Sequence, residues 1–243
     1  FGTAKGGEAS ITRDDLTYKT SNKQLAFLQH IYRNLKAGGR AAVVLPDNVL
    51  FEAGVGTEVR RDLMNKGNLH TILRLPTGIF YAQGVKTNVL FFTKGSASNP
   101  QQTENCTQQV WVYDLRTNMP SFGKRTPFTE AHLIPFESVY APEGGRKEGE
   151  WSFGAEKVEA VSDDINQGVD EQLAHSRWRC FSREWIAAHK GDSLDISWLK
   201  DANSVDAANL PEPSILAAEA KAELEGALLE LEALLATLEE ANA

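Results

Sequence analysis

Two aromatic residues stand in a stretch that has neither helical nor strand periodicity. Phe80 and Tyr81 are followed by Lys86 and Thr87, and this stretch connects two apolar segments. Flat rings can stack on a planar base, and an ammonium group nearby can bind a phosphate or a base edge. The same rings would also serve as a structural staple between two strands. The residue types leave both interpretations open.

A second polar group follows the apolar run of residues 40–45. Pro46 and Asp47 come directly after this run, where a buried parallel strand would end. Ligand sites in open α/β sheets gather at the carboxyl ends of strands. Asp47 is therefore a candidate for the floor of a pocket, although a plain turn after a strand also explains the pair.

Other kinds of site have little support. The five histidines lie neither near one another nor near a cysteine at the spacing of metal ligands, so no metal site is expected. No Ser/His/Asp or Cys/His signature stands out. Gly54 and Gly56 precede a helix but lack the third glycine of a dinucleotide fingerprint and the Gly-Lys-Ser/Thr of a phosphate loop. We interpret this segment as an ordinary loop before a capped helix.

Alternating helices and strands in the first part of the chain must position these residues. A helix is predicted to begin at Ser21-Asn22, and another at Thr57. Only about eleven residues separate the second and third predicted strands, too few for a usual crossover, so this pair is expected to be antiparallel. The predicted strands are residues 40–45, 69–75, 87–93 and 110–115, the first of them buried on both faces as in a parallel sheet.

After residue 116 the pattern changes to irregular chain with several prolines. A sparse second set of apolar residues predicts a small helical appendage. The set comprises Trp178, Phe181, Trp185, Ile186 and Trp198. We accordingly predict three parts, residues 1–116, 117–210 and 211–243.

The last part has the pattern of a coiled-coil helix. Its leucines follow a 4-3-4-3 rhythm, which is typical of a narrow seam that packs on a partner helix. Packing against the rest of the chain is the alternative. The seam consists of Leu224, Leu228, Leu231, Leu235 and Leu238.

Composition and charge limit the function further. The chain has 243 residues, 42% hydrophobic and 24% charged, as expected for an ordinary soluble protein, and no apolar run is long enough to span a membrane. Its two cysteines are far apart, which favours reduced thiols and a cytoplasmic location. The net charge is −8, and residues 211–243 hold eight Glu and one Lys. Such a tail repels nucleic acids and membrane surfaces, so its partner should be a protein.

Four motifs together resemble the adenine-N6 DNA methyltransferases, and most closely the modification subunit of type I restriction–modification systems of the K type (type IA). The motifs are Leu-Lys-Ala-Gly-Gly-Arg at residues 35–40, Leu-Pro-Asp at 45–47, Leu-Pro-Thr-Gly-Ile-Phe at 75–80 and Thr-Asn-Val-Leu-Phe-Phe-Thr-Lys at 87–94. The resemblance implies the C-terminal part of a Rossmann-like α/β sheet, mixed, with an antiparallel strand pair, a small helical appendage and a long C-terminal helix.

The resemblance also implies roles for single residues. The family carries an Asn-Pro-Pro-Phe tetrad and a glycine-rich S-adenosylmethionine loop. Of these, this sequence would hold only the final aromatic, so the chain alone is expected to be inactive. The implied roles are stacking on an extruded adenine for Phe1 and Phe80, a place at the entrance for the base or DNA backbone for Lys86 and Thr87, and the pocket floor for Pro46 and Asp47.

The function implied is methyl transfer from S-adenosylmethionine to adenine N6 in duplex DNA. The implied partners are a specificity subunit, a second modification subunit, a restriction subunit and the DNA itself, with no membrane. Two alternatives remain at this point. The chain could be an assembly module that only docks other subunits, or a complete α/β enzyme of another kind. Against the latter, three or four strands would leave an open sheet edge.

Overall fold

The computed structural model describes residues 14–80, 84–96, 99, 101–141, 145–146, 160, 164–201, 221, 224 and 228. The chain divides into two compact units, Phe1–Ala202 and Asn203–Ala243. Within the described residues, no helix is both long enough and apolar enough to cross a membrane.

The first helix begins where the sequence predicts. In α1 (Lys23–Asn34), the Asn22 side chain accepts hydrogen bonds from the backbone N–H groups of Gln24 and Leu25, at 2.9 and 3.3 Å. This satisfies two of the donors that a helix start leaves without partners. The helix ends before Gly38, whose φ of +73° lies in the left-handed region that glycine adopts without strain.

Five strands form one mixed sheet in the order β1-β3-β2-β4-β5. β3 is antiparallel to both β1 and β2, β2 is parallel to β4, and β4 is antiparallel to β5. The predicted antiparallel pairing of the second and third strands is therefore confirmed. The strands are β1 (Arg40–Pro46), β2 (Gly67–Arg74), β3 (Thr87–Lys94), β4 (Gln109–Asp114) and β5 (Trp178–Ser182).

The first strand differs from its prediction. β1 pairs with β3 only, so within the described residues it is an edge strand, and its exposure alternates along most of its length. Val44, for example, is 40% exposed. The expectation of burial on both faces is wrong here, because an apolar run gives the composition of a strand but not the number of its neighbours.

The strand β5 also differs from its prediction. Trp178–Ser182 was predicted to belong to a helical appendage, but it pairs along β4 from Gln109 to Tyr113. Phe181, Ile186 and Trp198 are buried in the same core as α1 and β2. The residues that looked too sparse for a core of their own complete the core of the sheet.

Helices cover both faces of the sheet. Along β4, Val110 and Val112 face the core that includes α1 and α3, whereas Trp111 and Tyr113 face a smaller core under α4. The helices are α2 (Asn48–Phe51), α3 (Val55–Lys66), α4 (Ile134–Tyr140), α5 (Glu171–Ala174) and α6 (Arg183–Lys190), with short 3₁₀ helices at Glu130–His132 and Asp164–Asn166.

Candidate functional site

One edge of the sheet gathers the residues that the sequence singles out. Because β3 is antiparallel to β1 and β2, and β4 is parallel to β2, the strands β1, β2 and β4 all end at this edge and β3 begins there. Pro46 is paired in register with Thr87. The backbone N–H of Asp47 donates a 3.0 Å hydrogen bond to the carbonyl of Lys86. Four of the residues predicted for the site are thus neighbours.

Arg116 joins the strand ends. Its guanidinium donates to both carboxylate oxygens of Asp47, at 2.8 and 2.9 Å, in the two-pronged geometry that favours arginine over lysine. It also donates to the backbone carbonyl of Leu75 at 3.0 Å and to that of Thr87 at 2.9 Å. One side chain therefore holds together the ends of β1 and β2 and the beginning of β3.

The Asp47 carboxylate is fully engaged in this arrangement. Besides Arg116, it accepts a 2.6 Å hydrogen bond from the Asn88 side chain. Burial by itself raises the pKa of Asp47, but the hydrogen bond and the charge of Arg116 outweigh it, so this pKa lies below its ordinary value. Asp47 is accordingly a charged link within the protein at neutral pH and is poorly placed to accept a proton.

A second carboxylate shapes the turn that carries Arg116. Asp114, at the end of β4, is fully buried and accepts hydrogen bonds from the backbone N–H groups of Arg116 and Thr117, at 2.8 and 2.7 Å. Burial by itself raises the pKa of Asp114. The nearby charge of Arg74 and these backbone donors lower it by more, so this pKa lies below its ordinary value. A buried charge with this many partners fixes the direction of the chain after β4.

Next to this edge lies an open cleft of about 880 Å³. One wall carries Gly78 and Phe80, from the connection between β2 and β3. The other wall is residues 121–126. Phe80 is 42% exposed, so its ring is accessible from solvent.

The two walls are joined through their backbones. The N–H of Phe122 donates to the carbonyl of Thr77 at 3.0 Å. Gly78 has φ of +81°, and a Cβ added there would lie 1.9 Å from the carbonyl oxygen of Phe122. Only glycine fits this close approach, which fixes the distance between the two walls of the cleft.

Comparison with known proteins identifies the fold. The sequence pattern of the family described as N-6 DNA methylase matches residues 6–180. The chain belongs to the N-6 DNA methylase family.

Relatives narrow the subclass within the N-6 DNA methylases. The EcoKI methylase subunit of the type I restriction enzyme of Escherichia coli K12 is 66% identical over 242 residues. The StySJI methylase subunit of Salmonella typhimurium is also 66% identical. Each match covers 98% of this chain and 45% of the relative, so the chain spans less than half the length of these proteins.

Solved structures agree with this assignment. The crystal structure of the EcoKI M protein matches with a TM-score of 0.78 and 64% identity, over 98% of this chain and 48% of that chain. A type I R-M system structure, described as showing complex assembly and conformational transition, matches with a TM-score of 0.55 and 25% identity, over 96% of this chain and 43% of that one. The predicted resemblance to type I methylase subunits is confirmed.

The structure places the residues predicted from the sequence in different surroundings. Phe80 lines the cleft and Lys86 is exposed, whereas Pro46 and Thr87 are buried. The Thr87 hydroxyl has no hydrogen-bond partner among the described residues. Phe1, Tyr81, Leu231, Leu235 and Leu238 lie outside the described residues, and the exposed pair Leu224 and Leu228 belongs to the second unit.

Sequence reasoning missed three cations of the site. Arg116 follows the fourth predicted strand directly, as Asp47 follows the first, and the same rule about strand ends could have found it. Lys124 and Arg125 lie in the irregular chain after residue 116, where no periodicity draws attention to them. Within the described residues, no group of three or more His, Cys, Asp and Glu is placed to hold a metal ion.

Proposed function

We propose that this chain forms the base-binding part of a type I methylase subunit that transfers a methyl group from S-adenosylmethionine to adenine N6 in duplex DNA. The observation that carries the proposal is the exposed Phe80 ring, held at the wall of a cleft beside the interlocked strand ends. The methylase would act in the cytoplasm, where it meets its DNA.

The exposure of Phe80 supports stacking over the alternative of a staple. A ring that holds two strands together is buried between them, whereas this ring is 42% exposed. Extruding a base from a duplex costs a few kcal/mol, and stacking it on an aromatic side chain returns about 1–3 kcal/mol. Phe80 is therefore a candidate catalytic residue that touches the extruded adenine.

The strand ends have a supporting role in this proposal. Because Arg116 and Asp47 lock the carboxyl edge of the sheet, the connection that carries Phe80 starts and ends at fixed points. Exposed Lys86 is placed to meet the DNA backbone, whereas Pro46 and Thr87 are buried. Fixed positions matter because methyl transfer depends on bringing two reacting atoms into line.

The described residues do not fit the methyl donor itself. S-adenosylmethionine carries a sulfonium, an ammonium and a carboxylate group, and the described lining of the cleft has Lys124 and Arg125 but no acidic residue to pair with the two cationic groups. Like charges at short range repel. We assign the cofactor to the part of a full-length subunit outside this chain and derive no step through it. The proposed function of this chain is therefore to bind and orient the base.

The test uses a full-length subunit, meaning a methylase subunit of the relatives' length that contains this sequence, together with its specificity subunit. Methylation is measured as N6-methyladenine in digested DNA by mass spectrometry. The wild-type complex should methylate adenine, and the isolated 243-residue chain should read background. Absence of N6-methyladenine from the wild-type complex would refute the proposed function.

Phe80→Leu and Phe80→Trp form a matched pair for the base contact. Leu keeps an apolar side chain but removes the ring, so kcat/KM should fall about 5- to 150-fold, equivalent to the loss of about 1–3 kcal/mol of stacking. Trp keeps a flat ring and should retain most activity. Fluorescence of 2-aminopurine at the target position reports extrusion. Equal activity of the two variants would contradict stacking.

A second role, docking of other subunits, is favoured by the exposed leucines of the second unit. Leu224 is 71% exposed and Leu228 is 56% exposed, and both lie on the predicted seam. Assembly of a related type I system has been solved as a complex. We assign the seam to the specificity subunit, and expect a second modification subunit and a restriction subunit in the complete assembly.

A further inference from the structure

Two exposed cations project from a tight reversal of the chain at the cleft. Lys124 and Arg125 lie between Gly123 and Thr126, and the N–H of Gly123 donates to the carbonyl of Thr126 at 2.9 Å. Both side chains are exposed, and neither forms an ion pair within the described part of the chain. Two neighbouring positive charges that form no ion pair with a described side chain are available to an external anion.

The charged side chains in the described lining of the cleft are all basic. None of the residues lining the cleft is acidic. Between Asp114 and Glu130, residues 115–129 contain three basic residues and no acidic one, in a chain whose net charge is −8. The positive charge is thus a local feature that runs against the charge of the whole molecule, and it directs an anion to this cleft.

The reversal is anchored firmly. The buried ring of Phe122, next to it, meets the ring of Phe128 edge to face at 5.1 Å and that of His132 at 4.9 Å. The backbone of Phe122 is joined to Thr77 in the Phe80 connection. Lys124 and Arg125 are therefore held at a set position relative to the Phe80 ring instead of being carried on a loose loop.

We propose that Lys124 and Arg125 bind the DNA phosphates that flank the base stacked on Phe80. This inference rests on the proposed function. One aromatic ring and two cations line the same cleft. This arrangement suits a nucleotide, because its planar base and its phosphate lie close together along the strand. The hydroxyls of Ser121 and Thr126, which also line the cleft, are further donors to phosphate oxygens.

The test is the salt dependence of DNA binding by the full-length subunit with its specificity subunit. The variant is Lys124→Gln/Arg125→Gln, and the probe is a fluorescent duplex that the wild-type complex methylates. The matched control is Lys36→Gln/Arg40→Gln, which removes two exposed charges where β1 begins, at the opposite end of the strand from Asp47. The swap Lys124→Arg/Arg125→Lys keeps both charges.

Each phosphate contact adds about 0.9 to the slope of log Kd against log salt, so the Gln pair should lower this slope by about 2. From about 50 to about 200 mM salt, the affinity of the wild type should fall roughly tenfold more than that of the variant. The control pair and the swap should keep the wild-type slope. Melting temperatures should be unchanged, because all of these side chains are exposed.

The possible failures are distinguishable. An active wild-type complex with an unchanged slope in the Gln pair would overturn the phosphate contact alone. An equal change in the control pair would also overturn it, because the effect would then come from net charge. A wild-type complex that methylates no duplex rejects the proposed function, and the phosphate contact with it.

Discussion

At the carboxyl edge of the sheet, several residues are connected through the carboxylate of Asp47. Asp47 is bound by Arg116 and Asn88, and Arg116 in turn reaches the carbonyls of Leu75 and Thr87. Both charged side chains are largely buried, so removing either one would leave the other as a buried charge without its ionic partner. The pair is expected to matter more to stability than a surface salt bridge would.

A double-mutant cycle tests this pair. Arg116→Met leaves the Asp47 carboxylate buried without its partner, and should lower the free energy of unfolding by about 3 kcal/mol. Adding Asp47→Leu removes that unpaired charge, and part of the loss should be recovered. Urea unfolding followed by circular dichroism measures both effects. A loss below about 1 kcal/mol in Arg116→Met would show that the pair contributes no more than an exposed one.

At the scale of elements, the cleft depends on two connections that approach each other closely. The connection after β2 carries Phe80, and residues 121–126 follow β4. They meet at Gly78, where the carbonyl of Phe122 occupies the space that a side chain would need. A change at this contact should move the aromatic wall and the cationic wall apart.

Gly78→Ala should therefore destabilise the protein in two ways. Alanine at φ of +81° is strained, and its Cβ would overlap the Phe122 carbonyl. The expected loss of stability is roughly 1–3 kcal/mol, together with weaker DNA binding, measured by thermal unfolding and fluorescence anisotropy.

Gly84→Ala is the control within the same connection. Nothing lies within 4 Å of a Cβ at this position, so the change should stay within about 0.5 kcal/mol of the wild type. Equal stability of the two alanine variants would mean that the walls can separate freely.

At the scale of the whole molecule, most of the acidic charge lies in a different part of the sequence from the cleft. Residues 211–243 carry most of the net charge of −8, and the cleft with its basic pair lies in the first unit. An acidic segment is unsuited to DNA but suited to a protein partner. This division agrees with the proposal that the first unit meets DNA and the second meets another subunit.

Leu224→Asp/Leu228→Asp tests the docking role. Both leucines are exposed, so the variant should fold and melt as the wild type does, yet fail to elute with the specificity subunit in size-exclusion chromatography. Each leucine buried at an interface contributes roughly 1.5–3 kcal/mol. Ile134→Asp, at an exposed position of α4 in the first unit, is the matched control and should still assemble. Assembly by both variants would contradict the docking role of these leucines.

The sequence by itself determined the elements whose signals are local. The cap and spacing of α1, the four strands from β1 to β4 and the antiparallel pairing of β2 with β3 follow from side-chain periodicity and connection length. The exposed ring of Phe80 and the link at Asp47 could also be located, because they stand beside those strands. Each of these patterns lies within a short stretch of sequence, so it can be recognised without knowledge of the rest of the fold.

Only the tertiary structure decided what depends on distant partners. β5 is a strand because Trp178–Ser182 lies beside β4, whose residues are more than 60 positions away in the chain. Arg116 is 69 residues from Asp47, and its role appears only when the strand ends meet. Lys124 and Arg125 line the same cleft as Phe80 because Gly78 allows the two connections to approach each other. Pairing between strands and ion pairing depend on position in space, and local sequence does not encode the distance between segments that lie far apart along the chain.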